Sequence, residues 1–307
     1  LEVLYIVSAE EAAGKTAVCA GIGKYLLDEG KKIGYRQPHE QKGTGTGDDI
    51  SFVKQVLGLS GDTSDGMDMV IMEGMLGKTA DDASSQTAYG TAKEMKAKVI
   101  AVEAYSGEAP EYTDVYKGFG ENLTGVIINK VPESLLKRVS EEAAGRFNAA
   151  GIKLLGVLPE NRTLFAISVG KLAESVKGKI LNNAEKSNEL VENYMLGAMV
   201  VDSGLDYFGR KNDKAAIIRL DRPDMQLAAL ETATKCLVLS GSSAAPMYNV
   251  SQKAESRGIP IIATDAAASE IIAEIEAALS SNRINEEKKL PKLAEIVNKN
   301  LDLAVII

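Results

Sequence analysis

An apolar run, Leu4-Tyr5-Ile6-Val7, leads directly into Ser8-Ala9-Glu10-Glu11-Ala12-Ala13-Gly14-Lys15-Thr16 and then into a helical stretch. Strand, small-residue loop and helix in that order set the first step of an α/β fold, because the helix must return across the sheet that the strand enters. The spacing is that of a loop whose backbone N–H groups and helix N-terminus hold phosphate. In such a loop the lysine reaches the outer phosphates and the threonine hydroxyl ligates Mg²⁺. Glu11, Ala12, Ala13, Gly14, Lys15 and Thr16 are therefore expected to line a nucleoside triphosphate. The pattern departs from its usual form in two ways: the first glycine is Ala9, and the carboxylates Glu10 and Glu11 stand inside the loop. Beside a polyphosphate those carboxylates must face solvent, serve Mg²⁺ or serve a second substrate.

Short apolar runs near 3–7, 33–36, 68–72, 98–102, 124–128 and 153–157 alternate with helical patterns. That rhythm predicts a doubly wound parallel sheet with helices on both faces, a P-loop nucleotide-binding domain over residues 1–180. Ligands of such sheets sit at the carboxyl ends of the strands. Met69-Val70-Ile71-Met72 ends there in Glu73, an acid placed to take Mg²⁺ directly or through water. Asp48-Asp49, after Gly43-Thr44-Gly45-Thr46-Gly47, offers a second carboxylate or a helix cap. Magnesium on phosphates keeps several waters, so Thr16, Asp49 and Glu73 suffice as its protein ligands. Asn129, at the end of Ile127-Ile128, carries an amide that can donate and accept at once, which suits a purine edge. His39 is the one histidine and reads as a surface or packing residue.

Residues 176–190 are polar and read as a connection. A smaller α/β domain is expected over 190–280, with strands at Ala215-Ala216-Ile217-Ile218, Cys236-Leu237-Val238-Leu239 and Ile259 to Ala263. Pro223 suits the first turn of the helix between the first two. Residues 281–307 form a C-terminal helical segment whose apolar stripe, Leu290, Leu293, Ile296 and Val297, packs on a neighbour or a second subunit.

Composition narrows the function classes. In 307 residues the net charge is −8, which argues against a nucleic-acid surface. Without tryptophan there is little to stack on single strands. No apolar run approaches the roughly 18 residues of a membrane span, and the start lacks a signal pattern. Cys19 and Cys236 have no metal spacing and read as buried thiols of a cytoplasmic protein.

Four segments resemble, in order, the motifs of dethiobiotin synthetase-like P-loop domains: the loop from Val7 to Thr16, Gly34-Tyr35-Arg36-Gln37-Pro38, Glu73-Gly74, and Gly125-Val126-Ile127-Ile128-Asn129-Lys130-Val131. Leu155-Gly156-Val157-Leu158-Pro159-Glu160 continues the similarity. Asp221-Arg222-Pro223-Asp224-Met225-Gln226-Leu227-Ala228-Ala229-Leu230-Glu231-Thr232 and Cys236-Leu237-Val238-Leu239-Ser240-Gly241 resemble the named motif and helix of the DRTGG domain, with Ser240-Gly241-Ser242 where that family has Thr-Gly-Gly. The combination is similar to the non-catalytic, regulatory N-terminal half of long phosphate acetyltransferases, here without the acyltransferase domain. The resemblance implies a cytoplasmic, homodimeric regulatory or accessory protein that binds ATP with Mg²⁺ and acts on an acyltransferase or another protein in trans. It also leaves open a slow ATPase.

Dethiobiotin synthetases carry Lys-Pro where this chain has Gln37-Pro38, and a neutral amide cannot supply the positive charge at the reacting centre. Dethiobiotin synthesis is therefore not expected. A rival reading is an ATP-dependent ligase that phosphorylates a carboxylate, as cobyrinic acid diamide synthases do. A third is an interaction scaffold whose loop no longer binds nucleotide.

Overall fold

The computed structural model describes residues 1–36, 53–55, 57–59, 66–107, 112–198, 204–280 and 286–306. The chain divides into two compact units, Leu1–Asn161 with Ile284–Ile307, and Arg162–Arg283.

The first unit is built on β1 (Glu2–Ser8), β2 (Ile33–Arg36), β3 (Met69–Met75), β4 (Lys98–Ala104), β5 (Leu123–Val131) and β6 (Leu154–Pro159). They form one sheet in the order β2-β3-β1-β4-β5-β6, with every neighbouring pair parallel. These are the six apolar runs of the sequence, and the doubly wound arrangement follows from them. Side chains alternate between the two faces. Tyr5, Val7, Val70, Met72, Val99, Ala101, Val126 and Ile128 meet Ala88 and Ala92 of α2 (Ala83–Glu94), Val115 and Tyr116 of α3 (Thr113–Lys117), and Val139, Ala143 and Phe147 of α4 (Leu136–Ala149).

The opposite face carries α1 (Lys15–Asp28) and the C-terminal helix Leu290–Asn300. Two glycines let α1 approach its neighbours closely. A Cβ on Gly23 would lie 2.7 Å from Leu57 and 3.2 Å from Ile33, and one on Gly21 would lie 2.5 Å from Val297. The chain end is then pinned to the edge strand, where Asp302 N–H donates to Leu155 O at 2.9 Å and Lys153 pairs with Asp302 at 2.9 Å. The stripe Leu290, Leu293, Ile296 and Val297 is thus buried within its own chain, on the first unit.

The second unit contains β7 (Ile167–Ser168), α5 (Val169–Ser175), β8 (Lys179–Ile180), β9 (Leu190–Val191), β10 (Asn193–Leu196), α6 (Gly204–Phe208), β11 (Lys214–Arg219), α7 (Pro223–Leu230), β12 (Thr234–Ser240), α8 (Tyr248–Ser256), β13 (Ile261–Ala263) and α9 (Ala268–Ser280). Its sheet runs β10-β11-β12-β13-β8, parallel except for the antiparallel β8. Ala216, Ile218, Leu237 and Leu239 pack toward α6, α7 and α8, while Ala215, Ile217, Cys236 and Val238 pack toward α5 and α9. Pro223 opens α7 as its sequence position predicts.

The polar stretch after residue 176 differs from its reading as a connection, because it belongs to this second sheet. Leu181 N–H donates to Ile261 O at 2.8 Å, and the Asn182 side chain accepts from Ile261 N–H at 2.8 Å. Two-residue strands carry no hydrophobic period, and here an asparagine side chain does part of the pairing, so only Ile180 and Leu181 stand out as apolar in an otherwise polar stretch. The two units meet in sequence at Asn161 and Arg162 instead. Cys19 and Cys236 are both buried free thiols.

Candidate functional site

In the first sheet the chain winds outward from β1 to β2, then crosses to β4 after β3, so the order reverses beside β1. A crevice at the carboxyl ends of the strands is expected at such a reversal. The loop after β1 lies there. Ser8 starts it: its hydroxyl donates to Glu10 O at 3.0 Å and accepts from Glu10 N–H at 2.9 Å. Glu10 is then drawn sideways, its carboxylate accepting from Ala104 N–H at the end of β4 at 3.0 Å, while Glu11 and Ala12 are exposed and Ala13 is buried. The two acids inside the loop are thereby accounted for, one tethered to the next strand and one in solvent.

Gly14 caps α1 with φ 86°, and no side chain caps the helix. The N–H of Val18 bonds to Gly14 O at 3.1 Å, so the amides of residues 15–17 precede the intrahelical ladder and are suited to an anion. A Cβ at position 14 would fall 2.4 Å from Asn129 Nδ2. Gly14→Ala should therefore destabilise the first unit by about 1–3 kcal/mol through backbone strain and displacement of Asn129. Thermal denaturation measures this, and an unchanged melting temperature would contradict the loop geometry.

Lys15 is buried at 7% exposure, with Nζ 2.8 Å from Met75 Sδ and 3.3 Å from Glu10 O. Burial pushes its pKa down from 10.5, against the pull of Glu73. Thr16 Oγ1 donates to Glu73 Oε2 at 3.1 Å, and the Tyr35 hydroxyl on β2 donates to Glu73 Oε1. The buried Cys19 thiol stands one turn further along α1, near enough to the same carboxylate to bear on its charge. Burial raises the Glu73 pKa, and Tyr35, Lys15, Thr16 and Cys19 oppose that rise in decreasing order. A cation without full compensation and a desolvated carboxylate thus stand together at the mouth of the loop.

At the end of β5, Asn129 Nδ2 donates to Ala13 O at 2.8 Å and Asn129 Oδ1 accepts from Lys130 N–H at 2.9 Å. Lys130 has φ 61° and its Nζ donates to Ala12 O at 2.7 Å.

Of the residues singled out in the sequence, Glu11, Ala12, Ala13, Gly14, Lys15 and Thr16 form the loop and the start of α1, and Glu73 and Asn129 are brought to them through Thr16 and Ala13. Asp48, Asp49, Gln37, Pro38 and His39 lie outside the described residues. Among the described residues no group of three or more His, Cys, Asp or Glu is placed to hold a metal. The Thr16 and Glu73 oxygens nevertheless fit magnesium: they are 3.1 Å apart, and neighbouring ligands of an octahedral ion at about 2.1 Å stand about 3 Å from each other. Tyr35, Cys19 and Lys130 were not singled out as site residues. Only the strand register and the turn of α1 bring the first two to Glu73.

In the second unit, Arg222 pairs with Asp224 at 2.8 Å at the start of α7, and Arg219 pairs with Asp221. Gly241 takes φ 88°, and Asp265 Oδ1 accepts from Ser243 N–H at 2.7 Å.

Sheet order, loop position and helix placement define an α/β protein whose first unit is a doubly wound parallel sheet with the Gly14-Lys15-Thr16 loop between β1 and α1. The second unit carries a DRTGG domain, whose family model matches residues 171–278. Among solved structures the chain is similar to the CBS and DRTGG domains of the regulatory region of Clostridium perfringens pyrophosphatase, a structure complexed with its activator diadenosine tetraphosphate. The identity is 16% over 47% of this chain and 70% of that one, with a TM-score of 0.33. It is also similar to the MinD cell division protein of Aquifex aeolicus, with 16% identity over 53% of this chain and 84% of that one and a TM-score of 0.37. No helix among the described residues is long and apolar enough to cross a membrane.

Proposed function

We propose that the first unit binds Mg·ATP through residues 11–16, and that the chain is a regulatory or accessory protein in which nucleotide occupancy is passed on to a partner. The observation that carries this reading is the joining of Thr16 to Glu73 beside the buried Lys15, at the carboxyl ends of β1 and β3. Lys15 and the amides of residues 15–17 would hold the phosphates, and Thr16 and Glu73 would hold Mg²⁺, with Asp49 as a further carboxylate. The metal would supply charge neutralisation between the outer phosphates. A DRTGG domain that follows a P-loop unit in the chain supports a role like that of the non-catalytic N-terminal half of phosphate acetyltransferases, with an acyltransferase or another protein as partner in trans. A cytoplasmic homodimer belongs to the same reading.

Thr16→Ala and Glu73→Gln separate metal from phosphate binding. Each should leave the weak, metal-free affinity for ATP nearly intact and remove most of the gain that Mg²⁺ brings, a loss of about tenfold or more for one charge-assisted contact. Titration calorimetry with and without Mg²⁺ reads this, and variants that respond to Mg²⁺ as the parent does would refute the metal assignment.

A further inference from the structure

Asn129 looks in sequence like a reader of a purine edge, yet both of its functional atoms are already engaged. Lys130 N–H must meet an oxygen and Ala13 O must meet an N–H, so the amide's orientation is fixed by its partners. The one remaining N–H and the remaining lone pairs sit on a side chain that is 9% exposed. A second contact reinforces the first, since the Lys130 ammonium donates to the adjacent loop carbonyl, that of Ala12. Lys130 also holds a left-handed backbone, φ 61°, which a lysine does not favour. Gly14 completes the fit, because any side chain there would collide with Asn129 Nδ2.

Resting on the reading of the loop as a phosphate site, we propose that Asn129 and Lys130 form a two-point clamp that sets the conformation of the phosphate loop. Asn129 is then a positioning residue: it governs affinity for a polyphosphate chain whatever base the chain carries. The donor on Ala13 O and the cation on Ala12 O fix two successive peptide planes, and those planes aim the amides that follow. Base selection falls to other residues.

The test uses the full chain and two measurements. Backbone order parameters of Ala12 and Ala13 are measured without ligand in the parent, in Asn129→Asp, which cannot donate to Ala13 O, and in Lys130→Gly, which accepts the backbone angle and removes the side chain with its ammonium. The parent should show the rigid value of about 0.85 and each variant a fall toward about 0.6 or below. Affinities for Mg²⁺ with inorganic tripolyphosphate and for Mg·ATP are then compared, and Asn129→Asp should weaken both by the same factor, about tenfold or more. Loop order unchanged in both variants overturns the clamp, and so does a loss confined to ATP, which would make Asn129 a base reader. If the parent binds neither polyphosphate, the nucleotide reading fails, while the order parameters still decide the clamp.

Discussion

A chain ending before Glu286 should lose the cooperative unfolding of its first unit. Leu290, Leu293, Ile296 and Val297 are at most 8% exposed, packed on the same face of the sheet as α1. Burying each contributes about 1.5–3 kcal/mol, so the helix supplies roughly 6–12 kcal/mol before entropy is counted. That is comparable with the whole stability of a typical domain, about 5–15 kcal/mol. The truncated chain should bind the dye ANS and melt without a sharp transition for the first unit, whereas a two-state melt like that of the full chain would contradict the packing. The same argument applies to a fragment of residues 1–180, which keeps every loop residue and loses the helix that covers α1.

The second large effect is expected at Lys15. Lys15→Ala should weaken Mg·ATP binding by about 2–4 kcal/mol, roughly thirtyfold to a thousandfold, because it removes a charge-assisted contact to phosphate from a desolvated position. The fold should not suffer in parallel. The folded-state pKa of Lys15 lies below 10.5, so the folded chain binds fewer protons there than the unfolded one. Its destabilising effect is full below that lowered value and gone above 10.5. Glu73 is the mirror case, with a pKa raised above 4.5. Its destabilising effect is absent below 4.5 and full above the raised value. At neutral pH both effects stand. The downward shift of Lys15 already includes its attraction to Glu73, so the neutral, similarly sized Lys15→Met should melt at the same or a higher temperature. A clearly lower melting temperature at pH 7 would show that Lys15 holds the fold together, contrary to its role as a cation awaiting an anion.

Much of this was legible in the sequence, for identifiable reasons. The six strands of the first sheet coincide with the six short runs, and those of β1, β3, β4 and β5 stop at Ser8, Glu73, Glu103 and Asn129, so their positions and most of their carboxyl ends could be read directly. Gly14, Lys15 and Thr16 lie in one local stretch, and Glu73 closes the apolar run of β3, two residues before the strand ends. The link from Tyr35 to Glu73 was not legible, because it depends on β2 lying beside β3, which no local pattern states. The engagement of Asn129 with Ala13 was hidden for the same reason: the two are 116 residues apart. The stripe from Leu290 to Val297 showed that a helix face is buried, though an amphipathic pattern never names what covers it. The complementary signal lay in α1, where Gly21 and Gly23 mark where neighbours come close. In the second unit the strand at residues 179–180 escaped notice because its partner contacts come partly from Asn182 and Asn183.

Calorimetric titration of the 307-residue chain with ATP, in the presence and absence of Mg²⁺ at physiological ionic strength, tests the central claim most directly. Saturable binding of one ATP per chain, with Kd below about 1 mM and tightened by Mg²⁺, is the expected result. No heat of binding with either form of the nucleotide at millimolar concentration would contradict it, and the loop between β1 and α1 would then be a helix start that binds nothing.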